Sequence, residues 1–127
     1  MKLRLIVAEH DRSFLRTLVS LLGSEFEIAG TATDADSAID LASELRPDIV
    51  VLDLELSGRN GIDVTRKIVE PRQHPAVVVC SLESDPDIVH AARQAGALGY
   101  VLKSRLAMDL IAAVRAAAKG DSFLSPA

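Results

Sequence analysis

The sequence predicts an α/β fold, a five-stranded doubly wound parallel sheet with five helices, and three observations lead to this prediction. Along the 127 residues, strand-like segments alternate five times with segments of helical periodicity. The segments Ile49–Leu54 and Ala76–Ser81 are apolar at nearly every position, which is typical of strands covered on both faces. No hairpin signal joins two strands, so helices must carry the chain back and the strands must run parallel.

The five units follow one another in order, separated by turn and capping residues. The predicted strands are Leu3–Ala8, Phe26–Thr31, Asp48–Asp53, Ala76–Ser81 and Gly99–Leu102. The predicted helices cover Arg12–Leu22, a segment between the cap Asp34 and Pro47, Ile62–Val69, a segment from the cap region Ser84–Asp87 to about Ala95, and about Leu106–Lys119. Glycine or proline follows each helix and prevents its continuation.

Polar side chains follow the apolar run of four strands. Glu9 and His10 come after strand one, Asp53 ends strand three, Ser81 ends strand four and Lys103 follows strand five. Five parallel strands commonly take the flavodoxin-like order 2-1-3-4-5, with a crevice at the carboxyl ends of strands one and three. We therefore expect these side chains to meet at one edge of the sheet.

The combination of these residue types indicates phosphoryl transfer, although no single member would. A lone acid at a strand end is usually a cap or a solvated loop residue. Together, however, a carboxylate can serve as the nucleophile, and further acid oxygens can bind a hard divalent cation. A lysine and a hydroxyl can donate hydrogen bonds to the phosphoryl oxygens.

Composition excludes several other classes of protein. Apolar residues make up 49% and charged residues 25% of the chain, which is ordinary for a globular domain. The net charge is −4 and the fourteen basic residues form no run, so we expect no nucleic-acid binding through this chain. No apolar stretch is long enough to cross a membrane, and no signal peptide is recognisable. The single cysteine, Cys80, is expected to be a buried apolar residue in a cytoplasmic protein.

Four stretches of the sequence resemble a response-regulator receiver domain, and the resemblance covers essentially the whole chain. They are Glu9 after strand one, LDLELSGRNG around Asp53, Ser81 after VVVC, and AGALGYVLK, which ends at Lys103. The ending GDSFLSP resembles the NarL/LuxR-like subfamily, whose members continue through a linker into a helix-turn-helix DNA-binding domain.

This resemblance implies a domain boundary and a set of residue roles. Residues 1–120 would form the receiver domain, and residues 121–127 would begin the linker to an output domain that this sequence lacks. Asp53 would be the phosphoacceptor. Ser81 and Lys103 would contact the phosphoryl group. Tyr100 would be the aromatic switch that responds to Ser81, the alternative being a strand residue with its hydroxyl in water.

The resemblance also implies a Mg²⁺ site formed by Glu9, position 10, Asp53 and the backbone carbonyl of Glu55. The family has acids at both positions after strand one, whereas this chain has Glu9 and His10. Asp11 could supply the second acid if a bulge turned it inward. Neutral His10 could bind the metal and favour Mn²⁺ or Zn²⁺, protonated His10 could itself replace the cation, or His10 could be solvated on the rim. We therefore expect weak Mg²⁺ binding, with Mn²⁺ as a possible cofactor.

Two functions remain open at this point. In the first, a sensor histidine kinase phosphorylates Asp53, and the domain controls a DNA-binding output without being an enzyme beyond its own phosphotransfer and dephosphorylation. In the second, His10 has removed metal-dependent phosphorylation and the domain is a constitutive interaction module. A homodimer through the alanine-rich last helix is a further hypothesis. A flavin protein or an aspartate-dependent phosphatase is disfavoured by the charged residues Glu9–Asp11 and by the short chain.

Overall fold

Strands and helices alternate along the chain as the sequence predicts. The computed structural model describes residues 2–56, 58 and 60–126. The strands are β1 (Arg4–Ala8), β2 (Glu27–Ala32), β3 (Ile49–Asp53), β4 (Ala76–Ser81), β5 (Gly99–Leu102) and β6 (Phe123–Leu124). The helices are α1 (Arg12–Gly23), α2 (Ala35–Leu45), α3 (Gly61–Val69), α4 (Pro86–Gln94) and α5 (Leu106–Ala118), with a 3₁₀ turn at Lys103–Arg105.

The strands of the described residues form one parallel sheet in the order β2-β1-β3-β4-β5-β6. Helices α1 and α5 pack on one face, and α2, α3 and α4 pack on the other. Every residue of β3 is buried, which explains why its side chains are apolar at successive positions. Because β1 pairs with both β2 and β3, the order reverses there, and the carboxyl ends of β1 and β3 lie side by side.

Side-chain caps fix where three of the helices begin. Asp34 accepts a hydrogen bond from the backbone N–H of Ser37 at 2.8 Å, and Asp85 accepts one from that of Asp87 at 2.9 Å. Asn60 caps α3 in the same way. Each cap satisfies a backbone donor that the first helical turn leaves without a partner. The predicted cap at Asp34 is confirmed, and Asp85 is the residue within the predicted cap region Ser84–Asp87 that caps α4.

Cys80 lies in β4 and is fully buried. Burial raises the pKa of its thiol to about 12, so the side chain stays a neutral thiol at physiological pH. Its predicted role as a small apolar core residue is confirmed.

The prediction of five strands was incomplete, because β6 extends the sheet beside β5. The backbone N–H of Phe123 donates to the Leu98 carbonyl at 3.0 Å, and that of Ser125 donates to the Tyr100 carbonyl at 2.9 Å. This strand falls within residues 121–127, the segment expected to begin the linker. Residue 127 lies outside the part of the chain that the structure describes. A two-residue strand is too short to show the alternation by which strands are recognised.

A buried polar cluster holds this C-terminal segment in place. The Ser125 hydroxyl donates to Asp109 Oδ2 at 2.6 Å and accepts from the Leu102 backbone N–H at 3.2 Å. Arg105 Nε donates to the same Asp109 oxygen at 2.8 Å. The bonds from Arg105 and Ser125 hold the pKa of the Asp109 carboxyl below its usual value. One serine therefore ties the segment both to the end of β5 and to the first turn of α5.

We expect Ser125→Ala to release the C-terminal segment while leaving the rest of the sheet intact. The substitution removes the donor to Asp109 and leaves the buried Leu102 N–H without its acceptor, so the edge strand should open more often. Hydrogen–deuterium exchange should become faster for the peptide covering residues 121–126 and for the Leu102 N–H. Ser24→Ala is the matched control, since the Ser24 hydroxyl is exposed and donates within its own turn. Equal protection in both variants would contradict the expectation.

Candidate functional site

Two buried carboxylates form the floor of the site. Glu9 directly follows β1 and is fully buried, and Asp53 is the last residue of β3 with 2% exposure. Glu9 Oε2 accepts the backbone N–H of Asp11 at 3.0 Å, and Asp53 Oδ1 accepts that of Glu55 at 3.1 Å. The backbone therefore fixes one oxygen of each acid.

Asp11 does not supply the second acid that the sequence allowed. Its Oδ1 accepts the backbone N–H groups of Ser13 at 2.9 Å and Phe14 at 3.2 Å, so it is the N-cap of α1. No bulge turns this side chain into the metal position. It remains at the mouth of the site.

Lys103 reaches both acids from the end of β5. Its Nζ lies 2.8 Å from Glu9 Oε1 and 3.7 Å from Asp53 Oδ2, and its side chain is only 10% exposed. The contact with Glu9 is a close ion pair between the fully buried Glu9 and the largely buried Lys103. The ammonium group also lies 4.5 Å from the centre of the Phe14 ring, within the range of a cation–π interaction.

Burial and charge act in opposite directions on this ion pair. Burial raises the pKa of Glu9 above its ordinary value, although Lys103 and the Asp11 N–H oppose the rise. Burial alone would lower the pKa of Lys103, but the negative charges of Glu9 and Asp53 outweigh it and raise that pKa. Lys103 therefore stays protonated at physiological pH, and its positive charge favours the ionised form of the Glu9 carboxyl.

His10 turns its ring nitrogen towards both carboxylates. Its Nδ1 lies 2.7 Å from Asp53 Oδ2 and 3.2 Å from Glu9 Oε2, although 40% of its side chain is exposed. His10 therefore lies at the rim, as one alternative expected, but its ring nitrogen also contacts both acids. Each carboxylate has a nitrogen partner from the chain itself, Lys103 for Glu9 and His10 for Asp53.

Ser81 and Tyr100 are both buried, and the backbone of Glu83 in the loop after β4 links their hydroxyl groups. The Ser81 hydroxyl accepts the backbone N–H of Glu83 at 3.0 Å, and the Tyr100 hydroxyl donates to the Glu83 carbonyl at 2.6 Å. Burial raises the pKa of Tyr100, and the nearby Ser81 hydroxyl offsets part of the rise. The alternative of a water-exposed Tyr100 hydroxyl is wrong.

A hollow of about 380 Å³ opens above these groups. Its lining residues are His10, Asp11, Phe14, Asp53, Glu55, Leu82, Lys103 and Ser104. The Lys103–Ser104 peptide bond, whose geometry the sequence leaves open, is trans. The hollow is open to solvent and large enough for a phosphoryl group.

The donor set fits a divalent cation. Glu9, His10 and Asp53 each present one ligand atom, and these atoms all lie within 4.8 Å of one another. Two carboxylate oxygens suit Mg²⁺, but the third donor is an imidazole nitrogen, which Mg²⁺ accepts poorly.

Sequence reasoning missed two lining residues. Phe14, in the first turn of α1, packs against the core and also places its ring against the Lys103 ammonium. Leu82 is 73% exposed and lies beside the hollow, as an isolated apolar residue after β4 that no periodic pattern marks.

Known proteins are similar to this chain over most of its length. The family model described as the response regulator receiver domain matches residues 5–115. The transcriptional regulatory protein LiaR of Bacillus subtilis is 37% identical over 100 residues, which are 79% of this chain and 47% of LiaR. The nitrate/nitrite response regulator protein NarL of Escherichia coli is 36% identical over 120 residues, which are 92% of this chain and 56% of NarL. The chain thus spans about half the length of these relatives.

A solved structure shows the same architecture. A LuxR-family two-component response regulator from an Aurantimonas species superposes with a TM-score of 0.93 at 29% identity, covering 99% of this chain and 91% of that one. Among the residues that the structure describes, no helix has both the length and the apolar character needed to cross a membrane.

Proposed function

Because the chain belongs to the family of response-regulator receiver domains, we propose that it accepts a phosphoryl group on Asp53. One observation carries the proposal. The Asp53 carboxylate lies at the carboxyl edge of the sheet, 3.7 Å from the Lys103 ammonium, beneath an open hollow of about 380 Å³. A carboxylate in this position can attack a phosphorus atom that enters from solvent.

Each side chain around Asp53 would have a separate role in the transfer of the phosphoryl group. An Asp53 oxygen forms the new O–P bond while the bond from phosphorus to the leaving group of the donor breaks. Lys103 neutralises charge on the phosphoryl oxygens, and the Ser81 hydroxyl donates to one of them after leaving the Glu83 amide. Tyr100, whose hydroxyl is held by the Glu83 carbonyl, would respond to that movement as the switch residue.

A divalent cation would be held by Glu9, Asp53 and the backbone carbonyl of Glu55. When bound, such a cation neutralises charge that develops on the phosphoryl oxygens. Mg²⁺ would bind weakly, because His10 stands where a second acid would supply an oxygen ligand.

One observation favours a second candidate function, a constitutive interaction module. Asp53 already has a partner in His10 at 2.7 Å, and Glu9 has one in Lys103 at 2.8 Å. A site whose two acids already have nitrogen partners from the chain itself has less need of a cation or a phosphoryl group. The two functions make opposite predictions about phosphorylation.

We expect wild-type protein incubated with acetyl phosphate and Mg²⁺ or Mn²⁺ to gain the mass of one phosphoryl group, and Asp53→Asn to gain none. Intact-mass spectrometry measures both. Asp63→Asn is the control, since Asp63 is an exposed α3 residue paired with Arg66, and it should be labelled like wild type. Equal labelling of wild type and Asp53→Asn would overturn the site assignment. No labelling of any protein would favour the interaction module.

The partners of the domain follow from its place in a two-component system. We propose a sensor histidine kinase as the phosphoryl donor and a DNA-binding output elsewhere in the regulator. In this cytoplasmic protein the receiver domain would extend past the expected boundary at residue 120 to include β6. A homodimer through α5 is supported by its exposed face, where Met108 is 66% exposed beside Ala107 and Ala112. Light scattering at high concentration, with and without a phosphoryl mimic, distinguishes this dimer from a monomer.

A further inference from the structure

We propose that Glu9, His10 and Asp53 form a mixed oxygen and nitrogen site that binds Zn²⁺ or Mn²⁺ in preference to Mg²⁺. The inference deepens the proposed function because it concerns the same site. It does not depend on phosphorylation, since the binding of a cation can be measured without any phosphoryl donor.

The spacing of the three side chains is close to that of neighbouring metal ligands, although the contact between His10 and Asp53 is shorter. His10 Nδ1 lies 3.2 Å from Glu9 Oε2 and 2.7 Å from Asp53 Oδ2. Adjacent ligands of a cation with bonds of about 2.1 Å lie roughly 3.0–3.4 Å apart, from octahedral to tetrahedral geometry. A small outward movement of the imidazole from Asp53 would therefore make room for a cation among the three atoms.

The orientation of His10 is what makes this a ligand set. The ring nitrogen that faces both acids is Nδ1, which donates to Asp53 when it carries the proton. In the tautomer protonated on Nε2, the same nitrogen would offer its lone pair to a cation placed between it and the acids. Because 40% of the His10 side chain is exposed, water can reach the site and complete the coordination.

The burial and negative charge of the two carboxylates would attract a cation to the site. Glu9 is fully buried and Asp53 is 2% exposed, so both carboxylates are shielded from bulk water. Lys103 lies closest to the other Glu9 oxygen, Oε1, at 2.8 Å, which leaves Oε2 on the His10 side. The hollow therefore exposes His10 and Asp53, with Glu9 Oε2 buried directly behind His10 Nδ1 and the Lys103 ammonium 3.7 Å from Asp53 Oδ2.

The nitrogen decides which cation is favoured. Mg²⁺ demands oxygen ligands and gives up its water reluctantly, so exchanging an acid for an imidazole costs it a ligand. Zn²⁺ and Mn²⁺ accept imidazole together with carboxylate, and affinity for such donors rises from Mn²⁺ to Zn²⁺. His10 thus changes the metal preference of the site and need not abolish metal binding.

Isothermal titration calorimetry with Mg²⁺, Mn²⁺ and Zn²⁺ tests the proposal on wild type, His10→Asp and His10→Ala. We expect wild type to bind Zn²⁺ and Mn²⁺ more tightly than Mg²⁺. His10→Asp should gain Mg²⁺ affinity by about tenfold or more, since even outer partners of metal ligands change affinity by that factor. His10→Ala should lose Zn²⁺ affinity. His74→Ala is the matched control, because His74 is an exposed histidine bonded to its neighbouring carbonyl, and it should leave the affinity unchanged.

Electron spin-echo spectroscopy of bound Mn²⁺ supplies an independent structural readout. Nitrogen modulation should be present in wild type and absent in His10→Asp. The same Mg²⁺ affinity in wild type and His10→Asp, or nitrogen modulation that survives in His10→Asp, would overturn the proposal. The proposal would also be overturned if His74→Ala abolished Zn²⁺ binding. If Asp53 is never labelled by acetyl phosphate but these metal results hold, the phosphoacceptor assignment fails and the metal site stands.

Discussion

Lys103→Met is expected to lower the free energy of unfolding by about 3 kcal/mol near pH 8, the low end of the cost of breaking a buried ion pair. The Lys103 ammonium lies 2.8 Å from Oε1 of the fully buried Glu9, and no other donor among the described residues reaches Oε1. Methionine has a similar length but leaves that carboxylate without a cation. Urea denaturation followed by circular dichroism measures the loss.

The loss in Lys103→Met should depend on pH in a defined direction. The pKa of Glu9 already lies above its ordinary value of 4.5 because of burial, and removing Lys103 takes away a contact that opposes the rise. A carboxyl with a raised folded pKa favours folding below its unfolded pKa and loses that contribution as the pH climbs through the folded value. The difference between wild type and variant should therefore be smaller at pH 5 than at pH 8.

A double-mutant cycle separates the ion pair from the packing of the lysine stem. Glu9→Gln removes the charge that Lys103 neutralises, so Glu9→Gln/Lys103→Met should be less destabilised at pH 8 than the sum of the single variants. A loss in Lys103→Met that is the same at both pH values and purely additive with Glu9→Gln would show that Lys103 stabilises the fold by packing alone.

The parts of the fold that the sequence predicts well are those with a local signal. The apolar run of β3 can only be a strand buried on both faces, and Asp34 and Asp85 begin helices by capping them. Strand β6 has no such signal, because what holds it is the long-range contact of Ser125 with Asp109. The hydrophobic periodicity of a sequence reports local structure and does not reveal contacts between residues that are distant along the chain.

The sequence also predicts that the strand-end side chains meet at one edge of the sheet. It does not predict which of these side chains contact each other. Topology places Glu9, Asp53 and Lys103 at one edge, since parallel strands end together. Whether Lys103 pairs with Glu9 or with Asp53 depends on a distance difference between 2.8 and 3.7 Å, which spacing along the chain cannot supply. The inward turn of His10 is equally a matter of rotamer, and the sequence left three orientations open.

Gly61→Ala should destabilise the protein by about 3 kcal/mol, the upper end of the cost of overpacking. A Cβ at Gly61 would lie 2.4 Å from the Leu54 Cα and 2.7 Å from the Leu54 carbonyl oxygen, and backbone atoms cannot rotate away as a side chain would. The Gly61 N–H also donates to that carbonyl at 2.9 Å, so the close approach is part of the turn. Thermal and urea denaturation measure the effect.

The same Gly61→Ala substitution should disturb the site, because Leu54 directly follows Asp53 and precedes Glu55. Displacing Leu54 moves the Glu55 N–H that holds Asp53 Oδ1 at 3.1 Å, so the folded fraction of the variant should be labelled more slowly by acetyl phosphate. Gly23→Ala is the matched control, since a Cβ there meets no atom within 4 Å. It should change stability by less than about 0.5 kcal/mol and leave labelling intact. If Gly61→Ala behaves like Gly23→Ala, the turn that presents the phosphoacceptor does not require glycine, and another contact must fix the position of Asp53.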